Sequence, residues 1–333
     1  MTHLTTRDRG PRRLRRRDRN ALLAVSLTVM ALSANGCVVV HGEREVLPAT
    51  TRAEAAKALK QFTAAYNKAD EAYDGSLDAD YTTGALADID SARLKAGHAN
   101  SPSGNSGHSA LEFDDVTYTI PKKAGWPRWF VADAHGNKGG DDRWLLVFTR
   151  DSLSEPFQVA YLTLLAPDSV PKFTTGKDGW AEAVPADSAQ LAVSPGDLSQ
   201  DYATYLKSGS TVFADGAHTS GWRADREKST KPGLATQYID EPLTAGDYAP
   251  LALRTTDGGA LVFFTTRYYA KQTAAAGTSV PTPNDDVKAL TKGEIKQSLT
   301  MQFVSNQVAL DPAGTGKVSV LGRIQGLTSA EGS

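Results

Sequence analysis

From residue 52 onward the chain switches between two spacings of apolar positions. Leu59, Phe62, Tyr66, Ala69 and Tyr73 recur at three and four residues, and Thr51 with Glu54 has the spacing of a capping box, so an amphipathic helix is predicted to begin there. A second, shorter helix is predicted from Gly84, with Leu86, Ile89 and Ala92 inward. The period then drops to two. "LEFDDVTYTI" (111–120), "WFVADA" (129–134), "RWLLVFTR" (143–150) and "FQVAYLTLLA" (157–166) are rich in aromatic and β-branched residues and are separated by Gly, Pro and Asp. Helices followed by strands are the order of an α+β domain.

That order returns. Asp197 and Gln200 open another helix carrying Leu198, Tyr202 and Leu206, and Gly209 is placed to end it. "TTGALAD" (82–88) reappears as "TSGWRAD" (219–225), with Thr, Gly, Ala and Asp at the same offsets. Strands follow again: "LATQYI" (234–239), "PLALRTT" (250–256), "ALVFFTTRYY" (260–269) and "SLTMQFVSNQVAL" (298–310). "LLVFTR" and "LVFFTTR" match as well, and Asp257-Gly258 is a favoured hairpin turn. The first pair of motifs is 137 residues apart and Arg150 stands 117 before Arg267, so the first copy is the longer. The stretch "AGHANSPSGNSGHSA" (96–110) and the loop "HGNKGGDD" (135–142) account for the difference and read as solvent loops.

Two helices on a curved antiparallel sheet, in tandem, resemble the NTF2-like (cystatin-like) superfamily and, more narrowly, a group of actinobacterial lipoproteins of unknown function. The resemblance covers about residues 50–325 and rests on element order and the Thr-Gly-Leu-Ala pattern near residue 83. It implies an α+β fold with a cone-shaped cavity between helices and sheet in each domain. The chain then divides into a signal peptide (1–36), a tether (37–51), a first NTF2-like domain (52–194) and a second (195–326). Fold alone does not set function.

The leader supplies the address. A basic stretch over residues 1–20 precedes the apolar run "ALLAVSLTVMALSA" (21–34), whose fourteen residues rise about 21 Å as a helix against the ~30 Å of a hydrocarbon core, too short to span. Small residues then lead to Cys37, the single cysteine of the chain. "MALSANGC" resembles the bacterial lipoprotein signal, which implies that Cys37 carries a thiol-linked lipid, such as palmitate in a diacyl anchor, and becomes the mature N-terminus. Gly36 fits the pattern; Ala34 and Asn35 depart from it, and ordinary cleavage after "ANG" is the alternative. One cysteine suits a lipid attachment and excludes an intramolecular disulfide. Arg16-Arg17 leaves the general and twin-arginine export routes both open, because charged Asp18-Arg19 follows.

Charge narrows the partners. Eight arginines and two aspartates stand in the first 19 residues, leaving 28 basic and 36 acidic residues beyond. A mildly acidic body without a clustered basic face does not favour nucleic acid. The expected partners are the membrane, through the N-terminal lipid, and an envelope protein or small ligand.

Chemistry is sparse. In the repeated motif the threonine reads as a helix cap, with Asp88 and Asp225 near the positive helix end; the sharper reading makes those aspartates an acid or ligand in each cavity. Asp133, Asn137, Asp141 and Asp142 lack the alternation of a calcium loop. His98, His108, His135 and His218 have no zinc spacing, although His218 beside Asp215 or Asp225 has the makings of a general base. Ser169 and Lys172 flank Pro171, and "DPAGTGKV" lacks the first glycine and the hydroxyl of a phosphate loop. Trp129 and Trp144 read as core; Trp126 and Trp222 are candidates to line a cavity. The candidate pocket is thus Asp88, Trp126, His218, Trp222 and Asp225, with no metal or cofactor expected. The reading is an extracytoplasmic, membrane-anchored lipoprotein with a non-catalytic binding or accessory role. The alternatives are a hydrolase or isomerase using a cavity acid or base, and a structural subunit of an envelope complex.

Overall fold

In the computed structural model, which describes residues 45–333, helix α1 spans Arg52–Ala72. The signal peptide and Cys37 lie outside the described residues. The Glu54 amide donates to the Thr51 hydroxyl at 3.1 Å and the Thr51 amide donates to the Glu54 carboxylate at 3.2 Å, the reciprocal cap that Thr51 and Glu54 predict. Ala55, Ala58, Leu59, Phe62, Ala65 and Ala69 are buried. Helix α2, Gly84–Asn100, buries Leu86 and Ala92, with Ile89 half-buried.

The stretch 96–110 is a solvent loop only from residue 101 onward. Its first five residues complete α2, because Ala92 and Ala96 pack against Leu290, and such packing overrides the low helix propensity of Gly97. The rest is tied to the end of α1: the Asn105 amide donates to the Glu71 carbonyl at 2.8 Å, and His108 Nδ1 lies 2.7 Å from the Asp70 carboxylate.

The strands, numbered in chain order, fall into three sheets. β1 (Leu47–Pro48), β3 (Pro121–Lys123) and β7 (Ala181–Glu182) form a short one. β2 (Phe113–Thr119), β4 (Arg128–Gly136), β5 (Arg143–Arg150) and β6 (Gln158–Leu165) form a four-stranded antiparallel sheet in that order. Helix α3 (Leu198–Ser208), a π-helical turn (Ala217–Gly221) and helix α4 (Trp222–Glu227) precede the third. In it, β8 (Leu234–Leu243) and β9 (Leu251–Arg254) pair successive stretches of β10 (Ala260–Ala274). β12 (Ser298–Asp311) lies beside β10, β13 (Ser319–Gly332) follows, and β11 (Thr291–Lys292), just after helix α5 (Asp285–Leu290), closes the far edge.

Strand alternation explains why these segments read as nearly continuous apolar runs. Phe130, Ala132, Leu146 and Phe148 face α1, whereas Trp129, Val131, Leu145 and Val147 enter a second core with Leu261, Phe263 and Val308. On β10 the same division recurs: Ala260, Val262 and Phe264 pack beneath Tyr202 and Leu206 of α3. Each large sheet therefore carries helix on one face and sheet on the other, and the residues from Val46 on form one compact unit.

Strand β13 has no counterpart in the expected pattern and continues past 326. Two glycines break its periodicity. A Cβ on Gly322 would lie 2.7 Å from the Thr163 hydroxyl, and one on Gly326 would lie 2.5 Å from Ile89, so both mark close passage against β6 and α2.

Candidate functional site

The repeated threonine-glycine motif opens two different structures. Thr83 stands at the start of α2, yet its hydroxyl does not cap the helix; it donates to the Asp247 carboxylate at 2.7 Å. Gly84 has φ +53°, and a Cβ there would lie 2.5 Å from the Asp247 carbonyl oxygen, so the second half rests directly on this backbone. Asp88 accepts a hydrogen bond from the Tyr248 hydroxyl at 2.7 Å, which holds the same junction. In the second copy Ser220 stands at the offset of Thr83 and its hydroxyl accepts from the Gly216 amide at 3.3 Å, within its own turn, while Thr219, the counterpart of Thr82, donates to the Ala214 carbonyl at 2.7 Å. Asp225 is exposed and paired with Lys228. Trp126 is half-buried before a cis bond to Pro127, on the loop between β3 and β4, with the Arg128 guanidinium 5.7 Å from its ring. Pro127, Tyr161, Asp247 and Leu251 contribute to a groove of about 300 Å³ between the two halves.

Of the five expected pocket residues, only His218 and Trp222 come together, at the π-helical turn and α4, which cover the helix-bearing face of the third sheet. The register places Tyr268 of β10 between Asp240 of β8 and Phe303 of β12, and Arg323 of β13 beside Gln307. Phe303 stacks on Tyr268 at 4.7 Å, and Trp222 meets the same ring edge-on at 6.2 Å. Arg226 makes two bonds to the Asp240 carboxylate, 2.7 and 2.8 Å, with both side chains nearly buried. The Arg323 guanidinium lies 4.0 Å from the Trp222 ring, and its Nη2 donates to the Ser305 hydroxyl at 3.3 Å. Among the described residues, Arg323 Nε, Arg226 Nε and Trp222 Nε1 are buried without an acceptor. Each such N–H costs about 1–3 kcal/mol unless something accepts from it.

The electrostatics follow from this crowding. Burial, with the Arg226 charge adding to it, holds Arg323 below the usual arginine range, against the pull of the Tyr202 and Tyr268 hydroxyls. Burial and the Arg323 charge lower His218, so the imidazole is neutral at pH 7. Burial pushes Tyr202 and Tyr268 up to about 12, so both keep their protons.

Sequence reasoning missed Arg226 and Arg323. The first had a signal: extending the repeated motif by one residue sets Arg226 at the offset of Ile89, a charge where the first copy has an inward apolar side chain. Arg323 lies in the glycine-broken strand and had none.

A second polar cluster joins α1 and α2. Arg93 pairs with both Asp70 and Asp90, and His108 and Asn105 also reach Asp70. Burial, then the hydrogen bond and charge of Asp90, push the Asp78 carboxyl up to about 8. Asp70 moves the other way, its burial outweighed by hydrogen bonds from His108 and Arg93. In the loop 135–142 the Asn137 side chain bonds the backbone of Ala110 and Glu112, and Asp133 pairs with Arg143. Among the described residues no cluster of His, Cys, Asp and Glu has the arrangement of a metal site, and no helix is long and apolar enough to cross a membrane.

Fold and site define an α+β protein with a cationic, aromatic face on its larger sheet. The chain belongs to the family described as domain of unknown function DUF8094, whose model matches residues 46–332. It is similar to an uncharacterized lipoprotein of Streptomyces coelicolor, 71% identical over 328 residues that cover 98% of this chain and 99% of the relative. It is also similar to an uncharacterized lipoprotein of Streptomyces avermitilis, 58% identical over 331 residues with 98% and 99% coverage. A more distant uncharacterized lipoprotein of S. coelicolor is 26% identical over 64% of this chain and 62% of its own length. No solved structure matches.

Proposed function

We propose that this chain is a lipoprotein anchored through Cys37 to the outer face of the cell membrane, where it binds a ligand or partner without catalysing a reaction. The leader, the single cysteine and the lipoprotein relatives support the anchor. In this reading the two helix-on-sheet halves are NTF2-like domains, 52–194 and 195–326, fused through a shared core, and the repeated order of elements supports it. The observation that carries binding is the Arg323 guanidinium: aromatic rings and hydroxyls surround it, and none of the described carboxylates pairs with it. The enzymatic alternative loses support because Asp88 and Asp225 are committed to Tyr248 and Lys228, on different elements from His218.

Cell fractionation tests the anchor. Cys37→Ala is expected to move the protein from the membrane fraction to the medium; continued retention of that variant on membranes would overturn the lipid attachment.

A further inference from the structure

The helix-covered face of the third sheet, under the π-helical turn and α4, holds one charge more than it cancels. Asp240 takes up Arg226 with two hydrogen bonds, leaving that pair neutral. Arg323, across the sheet, is surrounded by hydroxyls, rings, the neutral His218 and the Arg226 guanidinium already paired with Asp240, and none of the described carboxylates bonds it. Burial takes the proton from an imidazole, as at His218, but not from a guanidinium, so the charge persists at any physiological pH. A planar fork of N–H groups matches the two oxygens of a carboxylate. Trp222 and Phe303 are half-buried, packed on Tyr268, and offer flat apolar surface beside that fork.

We propose that this face binds a small organic monoanion, a carboxylate carried on an aromatic or aliphatic body. Arg323 meets the carboxylate, and Trp222 with Phe303 receives the body. One uncompensated charge selects a monoanion over a doubly charged phosphate, and the aromatic surface selects an organic acid over an inorganic ion. The inference rests on the binding reading above.

The test is calorimetric titration of the purified full-length protein with benzoate, benzyl alcohol and inorganic phosphate, accompanied by melting curves. Benzoate is expected to bind saturably, and benzyl alcohol and phosphate about tenfold more weakly or not at all. Arg323→Gln is expected to weaken benzoate about tenfold or more. Because that change also removes the stack on Trp222, Arg323→Lys is measured beside it: the charge stays, the fork is lost, and affinity falls between the two. Gln237→Ala, at an exposed position of β8, leaves affinity unchanged. No saturable benzoate binding by the folded protein, or equal affinity in Arg323→Gln or Arg323→Lys, overturns the proposal. Phosphate as tight as benzoate overturns the organic monoanion. Benzyl alcohol as tight as benzoate overturns the role of charge while leaving a ligand face in place. Failure of the anion claim is thereby separated from failure of the binding reading, and the Cys37→Ala fractionation is independent of both.

Discussion

The two halves repeat an order of elements but bury opposite charges. Between α1 and α2 three carboxylates, Asp70, Asp78 and Asp90, surround one guanidinium, Arg93, with His108 at the edge. Over the third sheet two guanidinium groups, Arg226 and Arg323, meet one carboxylate, Asp240. The excess is resolved differently in the two places. Asp78, pushed up to about 8 by burial and then by Asp90, keeps a proton at neutral pH and drops its charge. Arginine has no such exit, so the second half carries a charge that only an outside anion can cancel. One plan therefore yields an ion-paired brace in the first half and, in the second, a guanidinium that none of the described carboxylates pairs with.

The strongest way to break this comparison is to ask whether the halves are separable at all. Phe263, 1% exposed, projects from β10 into the core shared with Trp129, Val147 and Tyr161 of the other sheet. Phe263→Ala is expected to cost about 3–5 kcal/mol and to lower a single cooperative melting transition of the whole unit. Two transitions in calorimetry, only one of them moved, would show that the halves stand independently.

How much of this was legible follows the periodicity. The stripe of Leu59 and Phe62, the cap at Thr51 and the strands β4, β5, β6, β10 and β12 announce themselves because local pattern and tertiary burial agree there. β13 is hidden because Gly322 and Gly326 answer to side chains of the other half, a constraint no local window contains. The site is hidden for a related reason. Arg226 and Asp240 are fourteen residues apart in sequence, Trp222 and Arg323 about a hundred, and only the register of β8, β10, β12 and β13 sets them on one face. His218 and Trp222 are legible by residue type, an imidazole beside acidic neighbours and an aromatic ring, whereas Asp88, legible through the repeat, serves the junction between halves.

The repeated motif sharpens the comparison at the next level of effect. Gly84 sits at φ +53° with the Asp247 carbonyl in the path of any Cβ, whereas its counterpart Gly221 has a helical φ of −60° and its nearest such atom, the Gly216 carbonyl, at 3.2 Å. Gly84→Ala is expected to cost on the order of 2–4 kcal/mol, left-handed strain plus a backbone shift. Gly221→Ala is expected to stay within about 1 kcal/mol, since helix propensity offsets the tighter contact. Equal losses in urea denaturation would mean that the two copies use their glycine for the same purpose.

A pH series probes how the first half disposes of its charge. The folded state holds a proton on Asp78 up to about pH 8, while the unfolded chain releases it near 3.8, as an ordinary aspartate does, so the folded state binds more protons across that window. Stability from this group is complete below the unfolded pKa and is lost as pH rises toward the folded one. Asp78→Asn keeps an N–H donor facing Asp90 and does not titrate. Its melting temperature is therefore expected to match the natural chain near pH 4 and to exceed it increasingly toward pH 8.5. Parallel pH profiles for the two proteins would show that Asp78 is ionised throughout, and the contrast between a half that sheds its excess charge and a half that retains it would fall.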